Sequence, residues 1–461
     1  MSDKNFAGQL RLTLATLFGS TPFGSTPFGL TLLGSTLAVL TLSVVQPALA
    51  QTPLGLNPTQ VGLNDTTAHR ITDEIWQATG FGNTFMVMTN EGNVIIDTSL
   101  PATAPRHKQL LQEVSDAPVR YIVLTHAHGD HIGGVQLWRE EGTEIIAHAE
   151  HEEFMHYQNR LAGMFAIRNA AQFPDMPRPA GGAAQPGQMN PGNYTASITP
   201  TILFDREYSF SLGGLTFEII HTPGETYDHL SVWIPELKAA FVGDNFYGSF
   251  PNIYTLRGTK PRWALDYVSS LNKVLALQPE IMIPSHGDAI HGNAMINQAV
   301  SKYRDAILHV HDETVAGMNQ GKDVYTLMQE IALPDDLNIG EEYGAISWTV
   351  RGIYEGYMGW FDGNPANMYA TGPAAVYPDL VALGGGADRV AELSQQYLRD
   401  GDAVRAMHIA DIALTAEPAH VPALQARLAA LQQLLTDSAN SNEAGWLRHG
   451  INQTRAALGQ P

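Results

Sequence analysis

A chain of 461 residues with 44% hydrophobic content has the length for two domains and the material for ordinary globular cores. It contains no cysteine, which excludes disulfides, thiolate zinc sites, a cysteine nucleophile and the sulfatases that build their catalytic aldehyde from cysteine. A formal net charge of −20 argues against nucleic acid or an anionic membrane as partner, and an anionic substrate would need metal ions or a placed arginine.

The first fifty residues stand apart. They hold one Asp, one Lys and one Arg, then an apolar stretch from Leu30 to Val45 and the sequence Pro47-Ala48-Leu49-Ala50-Gln51. Small residues at Ala48 and Ala50 suit signal-peptidase cleavage after Ala50. With Gly34 and Ser35 inside it, the apolar stretch is short for a membrane span. We therefore expect an exported, periplasmic or secreted protein, with a signal peptide over 1–50, a linker over 51–66 and no membrane association after cleavage. The tandem Gly-Ser-Thr-Pro-Phe copies at Gly19–Phe23 and Gly24–Phe28 read as low-complexity leader.

Short β-rich runs begin near residue 67. Phe85–Met88 and Val94–Asp97 flank the turn Asn90-Glu91-Gly92-Asn93 and predict a hairpin. Ala104–Val114 reads as a helix that tolerates Pro105 in its first turn. Val119–Leu124 and Glu144–His148 read as strands, with a helix from about Glu150. Residues 174–197, rich in Pro, Gly, Asn and Ala, predict a long irregular loop of the kind that serves as a lid. Strands resume at Leu203, Leu215–Ile220, Leu230–Ile234 and Ala239–Val242, then a helix over Arg262–Leu277 and a strand over Ile281–Pro284. The alternation predicts two sheets covered by helices on both outer faces over residues 67–297. From 298 to 461 the pattern is helical: Ala299–Asn319, Val324–Ile331, Ser347–Trp360 and most of Asp388–Gly459. Val404–Ala410 with Leu424–Leu428 resembles one helical hairpin, and one copy does not make an array.

The chemistry concentrates in Thr125-His126-Ala127-His128-Gly129-Asp130-His131, directly after the apolar run Tyr121–Leu124. A strand ending in such a cluster places its side chains on a loop at a sheet edge, and imidazoles with a carboxylate suit zinc. Further candidates also follow strands: Asp97, Glu225 in His221-Thr222-Pro223-Gly224-Glu225-Thr226, Asp244 in Val242-Gly243-Asp244-Asn245, and His286 in Ser285-His286-Gly287. Asp228 and His229 are the nearest rivals for the place of Glu225. Asp97 reads as a residue that orients ligands rather than a ligand. His148, His151, His156, His309 and His311 read as structural. Tyr157, Asn159 and Arg160 are candidates for lining a pocket, and Trp348, Tyr354, Trp360 and Phe361 for the core or a subunit interface.

This order and spacing resembles the metallo-β-lactamase superfamily, whose fold is an αββα sandwich in the α/β class around a two-metal site. The family usually has His at the place of Glu225, and Glu there is similar to the zinc-dependent alkylsulfatase branch. The resemblance implies two Zn2+ ions: one held by His126, His128 and Glu225, the other by Asp130, His131 and His286, with Asp244 bridging where the branch usually has Glu. It implies that Arg257 in Asn252-Ile253-Tyr254-Thr255-Leu256-Arg257-Gly258 contacts the sulfate. It also implies that Tyr303–Ala306 and Tyr357–Asn367 belong to an all-α domain that makes a homodimer. Two departures point away from long-chain primary alkyl sulfates: no C-terminal sterol-carrier-like module is present in the 461 residues, and Trp348 stands where a His is expected.

The expected function is hydrolysis of a small anionic sulfate ester, alkyl or aryl, by a metal-bound hydroxide that Asp130 orients. Charge counting gives a nearly neutral ligand shell, so Arg257 would supply the cation a tetrahedral oxyanion needs. The alternatives are a lactone, β-lactam or phosphoester hydrolase on the same site, or a zinc-stabilised binding or assembly protein.

Overall fold

Period-two alternation along the strands sets the layers. The computed structural model describes residues 60–174 and 198–460; the predicted signal peptide and most of the predicted lid loop lie outside the described residues. A seven-stranded sheet runs in chain order through β1 (His69–Arg70), β2 (Ile75–Ala78), β3 (Thr84–Thr89), β4 (Gly92–Ile96), β5 (Val119–Val123), β6 (Glu144–His148) and β7 (Ile202–Phe204). Its first four strands pair antiparallel, β3 and β4 through the predicted hairpin, and β4 to β7 pair parallel. The second sheet holds β8 (Glu207–Leu212), β9 (Leu215–His221), β10 (Leu230–Ile234), β11 (Ala239–Gly243), β12 (Ile281–Pro284) and β13 (Ile290–His291), in the order β13-β12-β11-β10-β9-β8.

Phe85, Val87, Val94, Ile96 and Val123 of the first sheet meet Phe217, Ile219, Leu230, Val232 and Phe241 of the second in one buried core between the sheets. The alternate residues Met86, Ile95, Ile122 and Ile145 face outward. They pack under Leu110 and Leu111 of α1 (Ala104–Gln112) and, beyond the short α2 (Gly129–Ile132), under Val135 and Trp138 of α3 (Val135–Trp138). Strands covered on both faces are apolar throughout, which is why they read as continuous runs rather than as alternation. α4 (His151–Arg160) and α5 (Ala162–Gln172) follow β6.

The outer face of the second sheet carries Ala240, Val242 and Met282. It is covered by α6 (Ala264–Ala276), α7 (Asn293–Asn319), α8 (Val324–Glu330) and α9 (Ile346–Met358) through Tyr267, Leu271, Val300, Ile307, Leu327 and Val350. The expected boundary at 297/298 therefore falls inside a helix. α7 begins at Asn293, and its apolar stripe is part of the sandwich rather than of a separate helical body. α9 ends at Met358, because Gly359 at φ +73° turns the chain out of the helix. Beyond it, α10 (Tyr377–Leu383), α11 (Ala387–Arg399), α12 (Ala403–Ala416), α13 (Val421–Asp437) and α14 (Ser441–Ala457) pack in succession. Alanines such as Ala391, Ala406, Ala413 and Ala430 at their contacts let these helices approach closely. The order is thus an α/β sandwich in four layers followed by a helical region.

Candidate active site

All seven residues predicted to bind metal come together at one edge of the sandwich, each on the segment that follows a strand, with Asp130 and His131 in the short α2. His126, His128, Asp130 and His131 follow β5, Glu225 follows β9, Asp244 follows β11 and His286 follows β12. His126 Nε2 lies 2.9 Å from His128 Nδ1, and His128 Nδ1 lies 3.8 Å from Glu225 Oε1. His131 Nε2 lies 3.4 Å from Asp130 Oδ2, and His286 Nε2 lies 3.6 Å from the same oxygen. Asp244 sits between the groups, with Oδ2 3.0 Å from His286, 3.4 Å from His131 and 3.8 Å from His126. The donor atoms fall into three overlapping groups: His128, Glu225 and Asp244; Asp130, His131 and His286; and His126 with His131 and Asp244, rather than with His128 and Glu225 as predicted.

Asp97 sets the tautomers. Its carboxylate accepts from the Thr125 amide (2.9 Å), the Thr125 hydroxyl (2.8 Å), Nδ1 of His131 (2.8 Å) and the Ser285 hydroxyl (2.8 Å). His131 therefore carries its proton on Nδ1 and turns a lone pair inward on Nε2, an atom buried without a hydrogen-bond partner. Thr125 Oγ1, having spent its proton on Asp97, accepts from His126 Nδ1 at 3.1 Å, so His126 also turns a lone pair inward. Asp97 holds this post in the left-handed region at φ +55°, a cost a non-glycine residue bears only where its surroundings fix it.

Inward lone pairs on His126 and His131, a buried unpartnered Oδ1 on Asp244 and three converging carboxylates are a donor set that fits divalent metal ions. The electrostatics agree. Burial opposes protonation of His131 and His286, yet the carboxylates of Asp244 and Asp130 outweigh it and push both pKa values up, so that without a cation a proton competes for the inward Nε2 lone pair of His131. Burial likewise opposes ionisation of Asp244 and Asp130, yet the neighbouring histidines hold both below the usual carboxylate range. Such a cluster attracts positive charge. His126 and His128 are held neutral, first by burial, and His128 also by the charges of Arg257 and Arg262.

Gly243 shows how tightly the backbone is built here. It adopts φ +54°, and a Cβ on it would lie 2.3 Å from Nε2 of His229. That nitrogen accepts the Asp244 amide proton at 3.1 Å. His229 is thus a fully buried orienter of the Asp244 backbone, and Asp228 lies beside His151 with Oδ2 3.7 Å from Nδ1, so neither takes the place of Glu225.

Comparison with known proteins accords with this geometry. Residues 78–286 match the metallo-β-lactamase superfamily model and residues 325–456 the alkyl sulfatase dimerisation model. A linear primary-alkylsulfatase from Pseudomonas sp. is 30% identical over 386 residues, covering 78% of this chain and 72% of the relative. The chain belongs to the alkylsulfatase branch of the metallo-β-lactamase superfamily. It is therefore an enzyme, a hydrolase. An alkyl/aryl-sulfatase of Saccharomyces cerevisiae is 26% identical, and the alignment spans 79% of this chain but 60% of the relative. A stereoselective inverting secondary alkylsulfatase from Pseudomonas sp. shares the fold with a TM-score of 0.75 at 23% identity, over 86% of this chain and 66% of that one.

Within this branch member, several site residues escaped the sequence reading. Arg262, buried just before α6, pairs with Glu225 at 2.5 Å (Nη1–Oε2), and the Tyr267 hydroxyl donates to the same oxygen at 2.7 Å. Burial raises the Glu225 pKa, and Arg262 opposes that rise. Glu225 therefore turns only Oε1 towards the histidines. Arg257, by contrast, was predicted, and its Nη2 reaches within 3.5 Å of His128 Nε2. Tyr343, between α8 and α9, stacks edge-on to Tyr247 at 5.5 Å. Burial raises its phenol pKa to about 12 although the charge of Arg257 pulls it down, so the Tyr343 ring lies in the field of the site just before the anomalous Trp348. A cavity of about 330 Å³ adjoins Glu225, lined by Phe154, Tyr157, Tyr227, Lys260 and Trp263. Tyr157 is thus a lining residue as expected, whereas Arg160 pairs with Glu153 on the surface.

Proposed function

We propose that this chain hydrolyses sulfate esters, using two zinc ions held by His126, His128 and Glu225 on one side and Asp130, His131 and His286 on the other, with Asp244 shared. Such ions would supply the Lewis acidity that ionises water near neutral pH. The chain's own residues do the rest. Asp130 orients the attacking water, and Asp97 fixes the histidine tautomers through Thr125 and His131. Arg262 offsets one charge of Glu225, which leaves the site more receptive to an anion than the seven ligands alone would.

The observation that carries an anionic ester over a neutral lactone or β-lactam is Arg257. With Nδ1 of His128 turned to the ligand cluster, Nε2 bears the proton, so this N–H and the Arg257 guanidinium are two donors facing one space at 3.5 Å. An oxyanion between them satisfies both. Sulfate is favoured over phosphate because the curated relatives that match most of the chain are named alkyl or alkyl/aryl sulfatases.

The test is sulfate release by the zinc-loaded chain from Gln51 onward, on primary and secondary alkyl sulfates and aryl sulfates. We expect release that is lost in Glu225→Ala and strongly reduced, though measurable, in Arg257→Ala. No release from any ester at two zinc ions per chain would overturn the reading in favour of lactone, β-lactam or phosphoester substrates. The same reading includes export after cleavage behind Ala50, checked by N-terminal sequencing of the exported chain. It also includes a homodimer built on the helical region. Trp360, Tyr369 and Leu383 there are 76%, 71% and 85% exposed, an apolar surface that association would cover.

A further inference from the structure

The segment that carries Arg257 has neither helix nor strand from Asp244 to Trp263. A guanidinium on such a segment needs its backbone held from outside. The segment is held at Phe250 by Gly340 and Gly344 and at Asn252 by Arg262, while nearer the arginine Gly258 N closes a local turn on Thr255 O at 2.9 Å and α5 grips the two carbonyls before Gly258. Arg168 Nε donates to the Arg257 carbonyl at 2.6 Å, and its Nη2 donates to the Leu256 carbonyl. One planar fork thus clamps two successive carbonyls at the base of the Arg257 side chain.

Arg168 is itself held by the far end of the chain. Its guanidinium lies 5.2 Å over the Trp446 ring of α14. Trp446 Nε1 donates to Gln172 Oε1 at 3.3 Å, and Gln172 Nε2 donates to Asn442 Oδ1 at 2.7 Å. The two helices touch backbone to backbone, since a Cβ on Gly445 would lie 1.8 Å from the Gln172 carbonyl oxygen. The start of α14 also holds the second loop of the site. Asn442 Nδ2 donates to the Tyr343 carbonyl at 2.9 Å, and Asn440 Nδ2 to the Glu341 carbonyl at 2.6 Å.

We propose that Arg168 is a positioning residue for the anion site: seated on Trp446, it transmits the placement of the C-terminal helix to Arg257. This rests on the reading of Arg257 as the residue that meets the substrate's oxyanion. Arg168 touches no reacting atom. Its part is to keep the Arg257 guanidinium within reach of the space beside His128.

The experiment uses the zinc-loaded chain from Gln51. It reads kcat/KM on a sulfate ester and the dissociation constant for inorganic sulfate, for Arg168→Met, Arg168→Lys, Trp446→Leu, Arg257→Ala and the Arg168→Met/Arg257→Ala pair. We expect Arg168→Met to lower kcat/KM and weaken sulfate binding by about 10- to 100-fold with both metals retained, since a small misplacement costs that much. Lysine, a single-point donor, should restore part of the loss. In the Arg257→Ala background the same substitution should have an effect within about twofold, because the group it positions is gone. A general structural role would instead lower both backgrounds alike, and that outcome overturns the proposal. If Arg168→Met does not fold, Trp446→Leu keeps the clamp but removes its seat, and should show the same dependence on Arg257; equal loss in both backgrounds again overturns it. If Arg257→Ala weakens binding and neither Arg168→Met nor Trp446→Leu does, this inference alone fails. If Arg257→Ala itself changes nothing, or the parent chain neither cleaves the ester nor binds sulfate, the reading beneath it fails and takes this inference with it.

Discussion

Arg262→Met is the perturbation that most directly tests how Glu225 is held. The arginine and the carboxylate are 2% and 5% exposed in their side chains and meet at 2.5 Å, so neither is solvated by water. The arginine also donates to the Asn252 carbonyl at 2.8 Å. Methionine keeps most of the volume and removes the charge. The carboxylate is left with the Tyr267 hydroxyl at 2.7 Å and the weaker field of Arg257. Breaking one side of a buried ion pair costs about 3–5 kcal/mol, and that is the loss of stability we expect in the metal-free protein. In the zinc-loaded protein a cation beside Oε1 replaces part of the lost charge, so the deficit should shrink. Adding Glu225→Gln removes the stranded charge, so the double variant should be more stable than Arg262→Met alone when metal is absent. The assay is urea unfolding of the four members of this cycle with and without zinc. A cost below about 1 kcal/mol for Arg262→Met without metal, within the range of an ordinary surface change, would refute the reasoning, as would a double variant no more stable than the single.

Gly243→Ala should place a methyl against His229 and force φ +54° on a Cβ-bearing residue, at about 2–4 kcal/mol in thermal or urea unfolding, with loss of zinc from the centre. Retained stability and zinc would show that the Asp244 turn has slack. His107, on the buried face of α1 with Nδ1 3.0 Å from the Thr84 hydroxyl, has its pKa lowered from 6.5 to about 4, mainly by burial and against a backbone hydrogen bond at Thr79 and the charge of Asp65. The folded state prefers the neutral ring, so its contribution is full above pH 6.5 and is lost as pH falls from there to about 4. This amounts to about 3 kcal/mol by linkage. Urea midpoints between pH 7 and 4 should fall more steeply for the parent than for His107→Gln, and parallel curves would contradict this.

Much of the site was legible because its residues follow strands whose apolar runs are unambiguous. A polar His, Asp or Glu directly after Tyr121–Leu124, Ala239–Val242 or Ile281–Pro284 lands at a sheet edge whatever the tertiary detail. Arg262 and Tyr267 were not legible, because nothing local marks the partner of a buried carboxylate. Tyr267 is 42 positions from Glu225, on a helix whose pattern already accounts for it as core. The helix ends were misplaced for another reason. Gly292 at φ +93° and Gly359 at φ +73° mark the start of α7 and the end of α9, and a glycine near a helix end does not announce on which side of it the helix lies. Tyr343 and Trp446 lie in segments that sequence pattern assigns to a separate helical domain, so their bearing on the site emerged only from the packing of α14.

The two sheets contribute unequally to the metal centre, and this makes their mutual placement a determinant of metal binding. The histidine cluster belongs to the first sheet, while Glu225, Asp244 and His286 belong to the second. Contacts at the site's edge lock one to the other. The Leu230 amide donates to the Thr125 carbonyl at 2.8 Å, the Asn83 amide to the Ser285 carbonyl at 2.9 Å, and the Ser285 hydroxyl to Asp97. The core between the sheets, in which Phe85 and Phe241 meet edge to face, includes Leu230 of the first of these bonds. A core this closely packed does not deform continuously, so a cavity there shifts one sheet against the other. Donor atoms set 3.4 to 3.8 Å apart across that gap have little tolerance for such a shift. Metal affinity in this protein is therefore expected to depend on sandwich packing as much as on the seven candidate ligands.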